Sequence, residues 1–356
     1  MGNKQLQSAD GSLVVPYENV QNVCICVVIY PLLQYLLLND LEICKHHTAY
    51  ILDSTISEKI RNKLPCFTFK EYSQTAFYKV WRKIARAFQA LTRDIWHPYL
   101  KTATIYAQDH DIVSILIGKH DYYLLQDAPN IYSALSTEGC IQTQLKEKKQ
   151  HSLRGKIETF IYGVPFVYHH GANEQCKRIF LTEKNDCFLL EGKDCIVNGL
   201  KEMWADSSEE KKQFILGIFD ISEADLQQIQ SRPIVFFSQP VADLLTEQEY
   251  ADLLERIFSH YDYSQLLIKT HPRDHFNYVK YFPDIAVFDK PVNVELLSLF
   301  NFSFRKAVTI SSAAVFSLPE TIELDWFGPN IHPKIYAVSG SNETKLPRSY
   351  NQMYLL

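Results

Sequence analysis

Three polar clusters in the second half of the chain each follow directly on a short apolar run. They are Gln239-Pro240 after 233–238, His271-Pro272 after 266–268, and Ser311-Ser312 after 307–310. Their residue types suit the handling of a phosphate. His271 has Lys269 two residues before it and Arg273 two residues after it. An imidazole there can hydrogen-bond or protonate a departing phosphate; a histidine satisfying backbone groups at a strand end has the same appearance. Ser311 and Ser312, with Thr309 just upstream, offer hydroxyls and helix-start N–H groups to an anion, or simply cap a helix. Glu295, in a helical stretch after Pro291, suits ribose hydroxyls or complements a helix dipole.

These clusters carry weight together because of the elements that must hold them. In an open parallel sheet, ligands bind beyond the carboxyl ends of the strands. The chain alternates apolar runs with helical stretches, the pattern of an α/β protein. Residues 23–30 form a continuous apolar run suited to a parallel strand covered on both faces, and Pro31 opens a helix over 32–38. Further strands are expected at 49–52, 66–69 and 122–125, with a helix over 73–95 and apolar stretches at 102–106 and 112–117. A second series is expected from about residue 177. It has strands at 178–182, 188–190, 233–238, 266–268, 285–288 and 307–310, and helices within 194–218 and over 246–260 and 294–300. Thr246 and Glu249 have the spacing of a capping box. Residues 1–20 read as loose, and the polar tail from about 335 either packs back or frays. The expected layout is two Rossmann-like domains, 1–170 and 171–335, followed by a tail over 336–356.

Composition narrows the function. A chain of 356 residues fits two domains at roughly 100–200 residues each. Its net charge of −5 speaks against a nucleic-acid binder, which would carry a basic balance. The eight cysteines are scattered and form no C-x-x-C pair, as expected for reduced thiols in a reducing compartment. The apolar stretch 23–38 contains Pro31 and Gln34 and is short for a membrane span. It lacks the basic lead-in and cleavage site of a signal peptide, and Leu6 breaks the myristoylation pattern. A cytoplasmic location is therefore expected. The absence of G-x-G-x-x-G, P-loop and G-x-S-x-G motifs removes the usual support for NAD enzymes, P-loop kinases and serine hydrolases. Asp109-His110-Asp111 imitates a D-x-D metal motif without supporting context. His46-His47 and His169-His170 are adjacent pairs, which do not share a face of a helix or strand. The basic stretch 138–158 is a solvated face, or a patch near an anionic acceptor or membrane surface.

A resemblance becomes visible on these residues. Lys269-Thr270-His271-Pro272-Arg273-Asp274, then Glu295, then Ser311-Ser312 resembles the His-Pro, ribose-glutamate and double-serine series of bacterial sialyltransferases with the two-domain GT-B architecture. Ile29-Tyr30-Pro31-Leu32-Leu33-Gln34, the stretch 122–132, and Phe237-Ser238-Gln239-Pro240 resemble glycosyltransferase family 52 in particular, which includes lipooligosaccharide sialyltransferases. The resemblance covers most of 22–320. It implies two Rossmann-like domains with parallel sheets facing a central cleft. It also implies an inverting single displacement that moves sialic acid from CMP-sialic acid to a hydroxyl of a cell-surface glycan, lipooligosaccharide or capsule. His271 would act on the CMP phosphate as general acid or electrostatic stabiliser. Ser311 and Ser312 would hold that phosphate and Glu295 the ribose, with Lys269, Pro272, Arg273 and Gln239 completing the donor side. No metal or cofactor is implied, because protein donors replace the cation.

One departure concerns the base. Relatives carry an acidic-acidic-glycine motif in the first domain, where this chain has Leu124-Leu125-Gln126-Asp127-Ala128. A glutamine amide cannot accept a proton at neutral pH. The base candidates are then Asp127 and Asp243, with Glu247 and Glu249 read as ordinary first-turn helix residues. The alternatives are another donor on the same fold (CMP-Kdo, a related nonulosonic acid or a hexose nucleotide) and a non-catalytic glycan- or nucleotide-binding relative. Expected partners are the nucleotide-sugar donor and a glycan acceptor, with no nucleic acid. Membrane association is peripheral at most, on the inner face, and homodimerisation is an expectation from relatives.

Overall fold

The apolar runs become strands, and nearly all of them join two parallel sheets in the computed structural model. The structure describes residues 4–355 apart from 70–87, 89, 110, 127–151, 154–155, 158–169, 172–173, 186–189, 242–243, 272, 291, 293, 301, 303, 313, 316–317 and 340–348. A short antiparallel hairpin, β1 (Gln5–Gln7) and β2 (Val14–Pro16), opens the chain. This corrects the reading of residues 1–20 as loose. Leu6, Leu13 and Val15 are buried, and Asp10 closes the turn by accepting from Ser8 Oγ at 2.6 Å and Ser12 N at 3.0 Å. Those hydroxyl and backbone donors hold the Asp10 carboxyl down to about 2.

The first large sheet contains β3 (Asn22–Cys26), β4 (Thr48–Asp53), β5 (Cys66–Phe69), β6 (Thr104–Ala107), β7 (Tyr122–Leu125), β8 (Cys176–Leu181) and β9 (Asp194–Val197). All its pairings are parallel, in the order β5-β4-β3-β6-β7-β8-β9. The run 23–38 is a buried strand that passes into the helix Ile29–Leu38, with Pro31 in its first turn. Proline is tolerated there because the first N–H groups of a helix have no intrahelical acceptor. Cys24 and Cys26 share a face of β3, with their sulfurs 3.4 Å apart. Among the described residues, no helix is long and apolar enough to cross a membrane.

The second sheet contains β10 (Ile234–Phe237), β11 (Leu266–Lys269), β12 (Ala286–Phe288), β13 (Lys306–Thr309), β14 (Glu323–Trp326) and β15 (Asn351–Gln352). It too is parallel throughout, in the order β12-β11-β10-β13-β14-β15. The helix Glu247–Phe258 packs Phe258 edge-on against Phe236 of β10, with ring centroids 5.0 Å apart. Its expected capping box is present: Thr246 Oγ1 accepts from Glu249 N, and the Glu249 carboxylate accepts from Thr246 N at 2.8 Å. Such a cap contributes about 1 kcal/mol. At the other end of the chain, β15 returns the tail to the sheet beside β14.

The division between the two units falls later than the sequence suggests. β8 and β9 add to the first sheet rather than opening the second. The helices Leu200–Asp206 and Glu209–Ile218 belong to the same unit. Lys211 Nζ donates to Leu37 O at 2.7 Å, and Lys45 pairs with Glu210 at 3.2 Å. The units are Met1–Ile218 and Phe219–Leu356, so the expected boundary at 170 moves to 218. The shift has a simple cause: an apolar strand such as β8 shows in its sequence that it is buried, but not which sheet receives it.

Both sheets wind the same way. From β3 the chain runs outward through β4 and β5, then returns to β6 and β7 on the other side. From β10 it runs through β11 and β12, then returns to β13 and β14. The reversals lie between β3 and β6 and between β10 and β13. Such reversals open the crevices where doubly wound sheets bind ligands.

Candidate functional site

The strongest constellation lies at the reversal of the second sheet. β10 ends in Phe237 and is followed by Ser238 and Gln239; β13 ends in Thr309 and is followed by Ile310 and Ser311. The Gln239 amide bridges the two ends. Its Nε2 donates to Ser311 Oγ at 2.8 Å, and its Oε1 accepts from Ser311 N at 3.2 Å. The Ser311 O–H donates in turn to Gln239 Oε1 at 3.3 Å, a long bond that an arriving anion can replace. Below this bridge, Thr309 Oγ1 donates to Phe237 O at 3.0 Å and accepts from Ser312 N at 3.0 Å. Ser312 and Gln239 are both buried.

His271 is held on the neighbouring strand end by a second network. Ser238 Oγ accepts from His271 N at 2.9 Å and donates to Asp274 Oδ2 at 2.5 Å. Tyr278 OH donates to the same carboxylate oxygen at 2.7 Å, and Tyr250 OH stands 3.0 Å behind Tyr278 OH. The backbone N–H of Arg273 donates to His271 Nδ1 at 3.1 Å. An accepting Nδ1 carries no proton, so in the neutral ring the proton sits on Nε2, which is the donor the site presents. Burial lowers the His271 pKa, and the positive charges of Arg273 and Lys269 lower it further against the opposing pull of Asp274. At neutral pH the group is therefore a neutral Nε2–H donor. An arriving dianion would reverse part of that shift.

Sequence reasoning places Lys269 among the phosphate ligands, but the structure places its ammonium under the loops. Lys269 is buried, and its Nζ donates to Thr270 O at 2.6 Å and to Lys290 O at 3.1 Å. It thereby ties the loop after β11 to the loop after β12. Burial brings its pKa down to about 7, with Asp289 opposing. Arg273 is exposed beside His271. Glu295 is the second residue of the helix Val294–Leu297, and its side chain is outside what the structure describes. Pro272, Asp127, Ala128 and Asp243 lie outside the described residues, so both base candidates do. Glu249 is committed to the capping box and to Lys334 at 2.8 Å, and Glu247 pairs with Lys280 at 3.1 Å. Both are helix residues, as read from the sequence.

In the first unit the informative residue is Gln126, at the end of β7. It is buried, and every part of its amide is engaged. Its N–H donates to Gln34 Oε1 at 2.7 Å, and its Nε2 donates to Tyr30 OH at 3.1 Å. Its Oε1 accepts from Thr182 N at 2.7 Å and from Thr182 Oγ1 at 3.1 Å. Gln34 Nε2 also donates to Phe180 O at 3.2 Å. The network ties β7, the end of β8 and the helix Ile29–Leu38 together. Tyr30, Gln34 and Thr182 were not singled out for this role by sequence reading; two polar residues inside an otherwise apolar helical run were the available signal. At the reversal of this sheet, Gln108 Oε1 accepts from Val27 N at 2.9 Å. Asp109 is a structural carboxylate. Its Oδ2 accepts from Tyr122 OH at 2.9 Å and from Gly171 N at 2.7 Å, which is a use for the acid of the apparent D-x-D motif.

Two doubly wound parallel sheets, with an imidazole, hydroxyls and an amide gathered at one reversal, have the architecture of the GT-B glycosyltransferases. The chain belongs to glycosyltransferase family 52, which it matches over residues 43–334. It is 30% identical over 271 residues to an uncharacterized protein of Haemophilus influenzae strain Rd, covering 74% of this chain and 80% of that one. Among solved structures it is similar to a sialyltransferase from Photobacterium damsela, with TM-score 0.54 and 13% identity, covering 86% of this chain and 74% of that one. It is also similar to a 2,6-sialyltransferase from Photobacterium sp. JT-ISH-224, solved in a ternary complex with the donor product CMP and the acceptor substrate lactose. The TM-score there is 0.55 with 14% identity, covering 86% of this chain and 71% of that one. At such identities the structural likeness establishes the fold, and the family match establishes the class: the protein is a glycosyltransferase.

Proposed function

We propose that the protein transfers a sialic-acid-type sugar from its CMP-activated form to a hydroxyl of a bacterial cell-surface glycan, with inversion and without a metal ion. The observation that carries this reading is the pairing of two donors at the second sheet. One is a neutral imidazole with its proton fixed on Nε2 by the Arg273 N–H; the other is a Ser311 hydroxyl fixed by Gln239. Such preorganised donors suit a phosphate that gains negative charge as the sugar leaves. A monophosphate leaving group needs less neutralisation than a diphosphate, which favours a CMP donor over a hexose nucleotide. His271 then stabilises the departing CMP phosphate by donating a hydrogen bond from Nε2–H. Asp127 or Asp243 takes the acceptor's proton. The fold of the Photobacterium enzymes, one of them solved with CMP and lactose, supports the same assignment of donor and acceptor.

The network around Gln126 bears on the non-catalytic alternative. A glutamine in that position has an architectural use, so its presence is no sign of a decayed site. The deciding experiment is thermal protection of the full chain by CMP in EDTA, followed by mass analysis of the product from CMP-sialic acid and a galactose-terminated acceptor. Protection by CMP without metal and a product heavier by one sialic acid are expected. Protection by UDP but not CMP would reassign the donor, and CMP binding without turnover would favour the binding-protein reading.

A further inference from the structure

The peptide unit that joins Thr270 to His271 is held at both of its polar groups. Its carbonyl oxygen, Thr270 O, accepts from Lys269 Nζ at 2.6 Å, and its N–H, on His271, donates to Ser238 Oγ at 2.9 Å. The two groups of a trans peptide point to opposite sides of the chain, so the plane cannot turn without losing both bonds. The same ammonium reaches a second loop. Lys290 O accepts from Lys269 Nζ at 3.1 Å and from Val292 N at 2.8 Å, in the turn that leads to the helix Val294–Leu297 and Glu295. Lys269 is buried, and its Nζ lies 5.7 Å from the centre of the Phe288 ring. Charged groups act on it from its own loop and from the end of β12. Asp289 favours the ammonium, while the His271 imidazolium and the ammonium disfavour each other. Arg273 and Asp274 also bear on that imidazole. Lys290 Nζ pairs with Asp220 and Asp225, 3.5 Å from each. On the other side of β11, β10 brings Phe237 and Ser238 beside Lys269, and neither is charged.

We propose that Lys269 is a positioning residue for the nucleotide: its ammonium locks the peptide that orients His271 and ties that peptide to the turn before Glu295. The inference rests on the reading of these strand ends as the nucleotide-sugar site. A buried charge is costly and persists where it is well hydrogen-bonded. Here both bonds go to main-chain carbonyls of the two loops, so what the charge secures is the spacing between them. With a pKa of about 7, the group loses its proton just above neutrality. The neutral amine still donates, but it gives up the charge that makes such bonds roughly twice as strong. The Thr270–His271 peptide is then free to turn, and the imidazole no longer keeps Nδ1 against the Arg273 N–H.

The test reads the His271 tautomer by proton–nitrogen NMR in the full chain without ligand, from pH 6.5 to pH 9. The Nε2–H form should dominate at pH 6.5 and give way to a mixture of tautomers as the pH rises through about 7. A tautomer that stays unchanged to pH 9 overturns the proposal. Lys269→Met keeps the length of the side chain and removes its charge and donors. It should show the mixed tautomers already at pH 6.5 and bind CMP in EDTA about tenfold more weakly, the scale of one lost charged hydrogen bond. A folded variant with the parental tautomer and parental CMP affinity also overturns it. Should the variant fail to fold, the pH series of the parent decides alone. A parent that binds no CMP sinks the nucleotide reading instead, and the ligand-free tautomer series still judges whether Lys269 holds His271.

Discussion

Gln239 and Ser311 stand 72 residues apart in the chain, and the amide of one holds both the hydroxyl and the backbone N–H of the other across the strand reversal. The contact gives the serine hydroxyl a fixed direction before any ligand arrives. Preorganisation of this kind lowers the ordering cost of binding.

The bridge makes a specific demand on binding data. Gln239→Leu should weaken CMP binding by about tenfold, the scale of one lost polar partner. Ser311→Ala should do the same. The double variant should be little worse than either single one, because both remove one shared interaction. Calorimetric titration in EDTA measures all three. A large loss in Ser311→Ala beside a parental Gln239→Leu would mean that the bridge positions nothing.

His271 should titrate below the ordinary histidine value of 6.5 in the free protein. The sign follows from its surroundings. Burial and the two neighbouring cations disfavour the imidazolium, so Nδ1 stays free to accept the Arg273 N–H through neutral pH. The folded state binds that proton less readily than the unfolded chain does. This group's contribution to stability is therefore complete above 6.5 and is lost as pH falls through the depressed folded value. A bound phosphate raises the value, so CMP affinity should increase as pH drops between the bound and free midpoints. Proton–nitrogen NMR of the imidazole, with His271→Gln for assignment, reads both midpoints. A free midpoint at or above 6.5 would contradict the geometry.

Gln126→Glu is the substitution that restores the acidic motif on paper, and the structure argues that it harms the fold. Tyr30 OH would have to turn and donate, and the described partners of the amide, Tyr30 and Thr182, are neutral. A stability loss of about 2 kcal/mol at pH 8 is expected for a charge buried among neutral partners. Burial raises such a carboxyl above its unfolded value. The folded state then takes up a proton first, and stability should recover as pH falls toward the carboxyl range. Melting curves from pH 8 to pH 5 test this; an equal melting temperature to the parent at pH 8 would show that the site is open to water.

Much of the second unit was legible because its signals are local. A buried run followed at once by Gln239, His271 or Ser311 declares both a strand and a polar strand end. Thr246 and Glu249 declare a helix start within four residues. What stayed hidden depends on partners far along the chain. Lys269 has the same sequence neighbourhood whether it points at a ligand or, as here, at Thr270 O and Lys290 O. Arg178 to Leu181 looks like the first strand of a new domain, until its pairing with β7 shows it to be a late strand of the old one. The hairpin of β1 and β2 has little sequence signal, because only isolated apolar residues, Leu6, Leu13 and Val15, anchor it.

The network around Gln126 also sets an order of events during synthesis. It joins residues 30, 34, 126, 180 and 182, and the outer packing of the same unit uses Lys211. A chain emerging from the ribosome can form β3, β4 and the helix Ile29–Leu38 early, yet Tyr30 and Gln34 wait until residue 182 is free before their buried polar atoms are matched. The first unit therefore closes late, after residue 211 has been made, while the second follows from contiguous strands. The apolar helix at 29–38 is the segment that chaperones would find uncovered in the interval.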